Sequence, residues 1–227
     1  MKKTISLLLV FLISIGFVSA QSNWSEEMYV DFTYELFSEY TPAAEFIDFE
    51  NIDYALLQAA IFYETNKQRV ENNRERFIHS PSLEEAAAGH SRDMVDYNFY
   101  SHTSTVSGKR TMSNRLTLVG ISNCSMAENI HNTFGIQYQG GRSVYSPDQN
   151  GGYFSYTYQG DPIPPHTYLS FAEAAVEGWM NSQGHRRNIL NSDYVYLGTG
   201  AGHYRDDGFY DMNKFKLTQN FSSYSPD

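Results

Sequence analysis

Three short runs of this sequence carry side chains able to do chemistry: Ser101-His102, Ala127-Glu128-Asn129-Ile130 and Gly184-His185-Arg186-Arg187-Asn188-Ile189-Leu190. Two imidazoles and one carboxylate from separate segments have the donor set of a His₂–carboxylate zinc site with an open position. The same groups can instead form a structural His–Glu–His hydrogen-bond network. Spacing does not choose between the two, because no two of these residues share a helix. His102 follows the aromatic pair Phe99-Tyr100, which places its ring at the edge of the core. His185 is read at the end of a helix, where the carbonyl-end dipole favours an imidazolium. Without metal, a neighbouring Glu128 is expected to raise the pKa of His102 and His185.

Other chemistries lack their signatures. There is no G-x-S-x-G, no G-x-x-x-x-G-K-[ST], no G-x-G-x-x-G opening a helix and no H-E-x-x-H, so the hydrolase elbow, the nucleotide loop and the zincin helix are unsupported. No nucleophile–base–orienter set emerges, and no catalytic residue is assigned. His90 falls on the apolar face of a helix and reads as a core histidine. His79, His131, His166 and His203 fall in expected loops and read as solvated. Cys124 is the only cysteine, which excludes an intrachain disulfide and a cysteine-cluster zinc site; it reads as a buried structural thiol.

These side chains need elements to position them. Residues 51 to about 76 show helical periodicity, with Leu56, Ala60, Tyr63 and Val70 on one face and Asp53 able to cap the start. A second helix opens at Ser80-Pro81-Ser82, with Ser82 and Glu85 able to form a capping box; Leu83, Ala86, Ala87, His90 and Met94 define its buried side. A weaker helical stretch covers roughly 109–118. Residues 131–168 are rich in Gly, Tyr, Ser and Pro and read as an extended loop or irregular hairpin, its tyrosines a possible stacking surface. Ser170 and Glu173 suggest another capping box. The helix that follows carries Phe171, Ala174, Ala175, Gly178 and Trp179 and ends near Gly184. The last third reads as β, with Phe215, Leu217, Gln219 and Phe221 alternating. Helices followed by a hairpin suggest an α+β layered domain.

Composition bounds the class. The 227 residues are 41% hydrophobic and 15% aromatic, far too apolar for a disordered chain. Met1-Lys2-Lys3, the apolar run Ile5 to Val18 and Val18-Ser19-Ala20 read as a signal peptide over 1–20, removed after Ala20; a retained anchor is the alternative. Losing Lys2 and Lys3 takes the net charge from −10 to −12, which argues against nucleic acid as a partner. No second run is long enough to cross a bilayer. Residues 21–50 form an acidic extension, in which Met28, Phe32, Leu36 and Tyr40 recur every four residues as an amphipathic helix would.

In this order the fragments resemble the CAP superfamily: the SCP-type domain of cysteine-rich secretory proteins, antigen 5 and pathogenesis-related 1 proteins, in a short bacterial form. The resemblance runs from Glu64-Thr65-Asn66-Lys67-Gln68-Arg69 through Ser82-Leu83-Glu84-Glu85-Ala86-Ala87, His90-Ser91-Arg92-Asp93-Met94, Phe99-Tyr100-Ser101-His102 and Ala127-Glu128-Asn129-Ile130. It continues to Trp179–Leu190, Leu197-Gly198-Thr199-Gly200 and Leu217-Thr218-Gln219-Asn220-Phe221. It implies an α+β fold, a three-layer α-β-α sandwich with a small antiparallel sheet, over residues 51–223 with the insert at about 131–168. It also implies a cleft with His102, Glu128 and His185, Asn129 and Ser182 beside them, Ser182 standing where eukaryotic members have a second Glu. The implied role is a secreted module, extracellular or periplasmic in a two-membrane bacterium. It would be non-enzymatic and bind a lipid, sterol, glycan or protein partner. The alternative is a metal-dependent hydrolase or peptidase in which His102, Glu128 and His185 hold zinc or another divalent cation.

Overall fold

The computed structural model describes residues 24–227; the leader expected over 1–20 lies outside the described residues. The acidic extension is not one helix. It breaks into α1 (Met28–Asp31), α2 (Tyr34–Ser38) and a 3₁₀ turn (Thr41–Ala44). Thr33 stops the first piece by capping the second, its side chain accepting from Leu36 N at 3.4 Å. The four-residue stripe fails at Leu36, which is exposed, whereas Trp24, Phe37, Ala43 and Ile47 are buried. Trp24 meets Tyr29, Phe32, Phe37, Tyr40 and Tyr63 edge-on at 5.2 to 5.8 Å. Aromatic clustering, not helical periodicity, folds this arm onto the body.

Asp53 caps α3 (Tyr54–Glu71), accepting from Leu56 N at 3.0 Å. Leu56, Ala60 and Tyr63 are buried as expected; Val70, in the last turn, is exposed. After the two-residue β1 (Ile78–His79), α4 (Pro81–Asp96) is capped by Ser80 rather than Ser82. Ser82 instead donates its hydroxyl to Asp227 at 2.7 Å. A Thr111–Asn114 capping box opens α5 (Met112–Leu118). The strand β2 (Met126–Phe134) then runs into the region read as a loop. A Thr167–Ser170 box starts α6 (Tyr168–Met180) one turn before the expected Ser170–Glu173 pair, and α7 (Gln183–Ile189) follows. Two long strands, β3 (Tyr196–Asp206) and β4 (Met212–Ser222), close the chain.

The strands form one sheet in the order β1-β3-β4-β2. The three long strands pair antiparallel, but β1 joins β3 in parallel, so the sheet is mixed rather than purely antiparallel. Helices cover both faces, as an α-β-α sandwich requires. Leu197, Ala201, Phe215, Leu217 and Phe221 share a core with α3 and α6. The alternate residues turn to α4: Lys216 Nζ donates to Met94 O at 2.7 Å, and Ser91 Oγ to Thr218 Oγ1 at 2.9 Å.

The spacing between α4 and the sheet is set by glycine. A Cβ on Gly198 would lie 2.0 Å from Glu84 N, and one on Gly200 would lie 2.2 Å from Ala87 C and Ala88 N, all helix backbone. Gly200→Ala must therefore push α4 off the sheet. A loss of at least about 3 kcal/mol is expected in urea unfolding, against under about 1 kcal/mol for Gly184→Ala, whose Cβ meets nothing within 4 Å.

Candidate functional site

Glu128 is the centre of the site. It lies on the α4 side of β2, opposite Asn220 of β4, with a side chain only 2% exposed. A carboxylate out of water needs compensating charge and donors. Arg115 of α5 supplies the charge, Nη2 meeting Oε2 at 2.6 Å with both side chains buried. His102 Nδ1 lies 2.8 Å from Oε1, and with its amide oriented to satisfy both neighbours Asn220 donates to Oε2 at 3.3 Å. Burial pushes the Glu128 carboxyl up, but the hydrogen bond from His102 and the charges of Arg115 and His90 outweigh it, leaving the pKa below the ordinary value.

The loop carrying His102 is held by its backbone carbonyls. Lys216 donates to Phe99 O at 3.0 Å, His90 Nε2 to Ser101 O at 3.1 Å and Arg115 to His102 O at 3.3 and 3.4 Å. The anchored His102 side chain remains 55% exposed. With Thr103, Thr111, Met112 and Glu128 it lines an open cleft of about 400 Å³.

His185 arrives from the other side of β2, and its helical position differs from expectation. Gly184 does not end a helix; it is the second residue of α7, which places His185 in the first turn. The dipole there opposes an imidazolium instead of favouring it. The His185 pKa is lowered, first by burial and then by the charge of His102, which is also opposite in direction to the shift expected from Glu128. Asn129 is fully buried and faces away from the cleft. Its amide donates to His185 O at 3.2 Å and Gln219 Oε1 at 3.0 Å, and accepts from Asn188 Nδ2 at 2.9 Å, so it positions α7 rather than lining the cleft. Ser182 is the N-cap residue of α7 and makes no side-chain cap bond.

Two arginines have roles that the sequence reading does not assign. Arg115 reads as an ordinary residue of a weak helix, although a buried Glu demands a cation somewhere. Arg69 of α3 donates to Ile189 O at 2.6 Å and Asn191 O at 2.9 Å, fixing the end of α7. The four loop histidines are also not solvated. His79 bonds Glu84 at 2.9 Å under a stacked Tyr29 ring, and His203 packs against Phe49 and Phe215. His131 lies beside Trp179, and His166 is only 6% exposed. Cys124 is half-buried, 3.2 Å from Ser222 Oγ.

The Gly/Tyr-rich insert is an irregular hairpin pinned by isolated bridges, Ile136 to Pro165 and Tyr145 to Ser155. Its Phe154 packs on Phe209 and Tyr210 at the β3–β4 turn, 5.5 and 5.6 Å away. The insert leaves β2 after Phe134, roughly 20 Å along the strand from Glu128, and so lies away from the cleft.

The expected zinc set does not fit this arrangement. Both Glu128 oxygens are engaged, and a guanidinium 2.6 Å from a would-be ligand atom repels a dication at the same place. Among the described residues no group of three His, Cys, Asp or Glu side chains is arranged to hold a metal ion.

This fold is that of a CAP domain, and residues 62–221 match the family described as the Cysteine-rich secretory protein family. The chain belongs to that family. Among curated proteins it is 32% identical over 152 residues to the uncharacterized membrane protein YlbC of Bacillus subtilis, covering 67% of this chain and 32% of that one. It is 26% identical over 136 residues to the uncharacterized protein YkwD of the same organism, covering 60% and 38%. The chain thus spans about a third of the length of these relatives. Among solved structures, an extracellular SCP-domain protein of Bacillus anthracis aligns with TM-score 0.48 and 25% identity, over 74% of this chain and 41% of that one. An outer surface protein of Borrelia burgdorferi aligns with TM-score 0.44 and 13% identity, over 79% and 97%.

The charges of the site make two expectations concrete. Arg115→Ala strands a buried carboxylate and should cost about 3–5 kcal/mol in urea unfolding, whereas pairing Arg115→Met with Glu128→Leu should restore most of it. Burial also lowers His90, His131 and His166 to about 4 from 6.5. The unfolded chain then binds more protons between these values, so stability should be complete above pH 6.5 and fall steadily toward pH 4. Thermal melts across that window check the sign; a flat profile would contradict it.

Proposed function

We propose that this chain is an exported, non-enzymatic CAP-family binding module whose cleft takes a hydroxyl-bearing ligand, such as a sterol, lipid or glycan, through His102. The carrying observation is the 2.8 Å bond between His102 Nδ1 and buried Glu128. When the ring is neutral, donation to Glu128 fixes its tautomer and leaves the Nε2 lone pair as an acceptor on an exposed edge. A ligand hydroxyl matches that acceptor. The leader-like segment supports export, and among the described residues no helix is long and apolar enough to cross a membrane.

The metal-dependent hydrolase reading has less support, because Arg115 already neutralises the one carboxylate it requires. Titrating the chain with a sterol in micelles and with a soluble amino-sugar oligomer tests the proposal. One of them should bind, and His102→Ala should weaken it about ten-fold, the worth of one hydrogen bond. Arg142→Ala, in the remote insert, should leave affinity unchanged. Binding indifferent to His102 would remove the cleft from consideration.

A further inference from the structure

A cavity larger than the His102 cleft lies elsewhere. About 670 Å³ lies between the N-terminal arm and the body. Tyr29, Phe32 and Tyr34 of the arm form one wall, and Phe62, Tyr63 and Tyr196 of the body form the other. Its ionisable lining is acidic: Glu26, Glu75 and Asp227 against Arg76 alone, with His79 beside them. Partial burial opposes ionisation of Asp227, but hydrogen bonds from Ser225, Ser80 and Ser82 hold its carboxyl down at about 2. Tyr63 is 3% exposed, and its hydroxyl is buried with no hydrogen-bond partner among the described residues.

Aromatic walls and surplus carboxylates define one ligand chemistry. Ring quadrupoles attract a cation, and the carboxylates add a favourable field. An anion would meet repulsion at the rim. We propose that this cavity binds a small organic amine in its ammonium form, carried on an aromatic or aliphatic body, independently of the His102 cleft.

Calorimetric titration of the full chain with benzylamine tests this, with benzoate and benzyl alcohol as the anionic and neutral counterparts. Benzylamine should bind saturably at one site, with benzyl alcohol at least about five-fold weaker, benzoate silent and affinity falling as salt rises. Glu75→Gln and Glu26→Gln should each weaken benzylamine about three-fold or more. Glu26 and Glu75 are exposed, so both variants keep the fold. No binding, equal binding of the alcohol or the acid, or affinity indifferent to Glu75→Gln would overturn the assignment.

Discussion

A carboxylate between two layers of a sandwich is the constraint around which this molecule is built. Glu128 cannot be buried without a cation, and the cation cannot be a distant one. Arg115 must therefore be carried to the sheet on its own short helix, with Leu116 anchoring α5 beside Leu83 and Ala86 of α4. Once Arg115 holds Oε2, the other oxygen is free to orient an imidazole, and His102 takes it. The pair fixes the position and tautomer of a ring that otherwise stands half in water.

This arrangement works only if α4 lies against the sheet. The missing Cβ atoms at Gly198 and Gly200 bring helix backbone to van der Waals distance of β3. At that spacing Lys216 reaches from β4 to the Met94 carbonyl in the last turn of α4 and to Phe99 O in one span, a placement that also suits the negative end of the helix dipole. His90, fully buried on the same helix, bonds the next part of the loop. Packing distance in one layer thus becomes angular precision in the loop that carries His102.

The sequence is most readable where structure is local. α3 and α4 show themselves by periodicity and caps, and the β4 alternation of Phe215, Leu217, Gln219 and Phe221 places a strand correctly. β2 is invisible because its inward residues on both faces include Glu128 and Asn129, polar groups satisfied by partners 13 to 90 residues away. The arm misleads because its four-residue rhythm is real but the Trp24 cluster selects Phe37 over Leu36. Gly184 reads as a stop and is instead an early residue of α7, which reverses the dipole argument for His185. His102, Glu128 and His185 stand out through the family pattern; the counter-ion Arg115 has no local mark and emerges only when Glu128 is seen to be buried.

The electrostatics of the cleft narrow what it can hold. Arg115 balances Glu128 internally, so the pair presents little net charge to a ligand. The His185 pKa is lowered, chiefly by burial, and its place at the start of α7 acts in the same direction; the nearby His131 is lowered to about 4, chiefly by burial. Each imidazole that stays neutral makes the cleft poorer for anions and better for uncharged hydroxyl and amide groups, which ask for an oriented acceptor rather than a charge. The carbonyl and carboxylate bonds that hold one ring still are what the proposed recognition site would require. They create direction at His102 Nε2 without creating the open, anionic ligand field that a divalent ion would need.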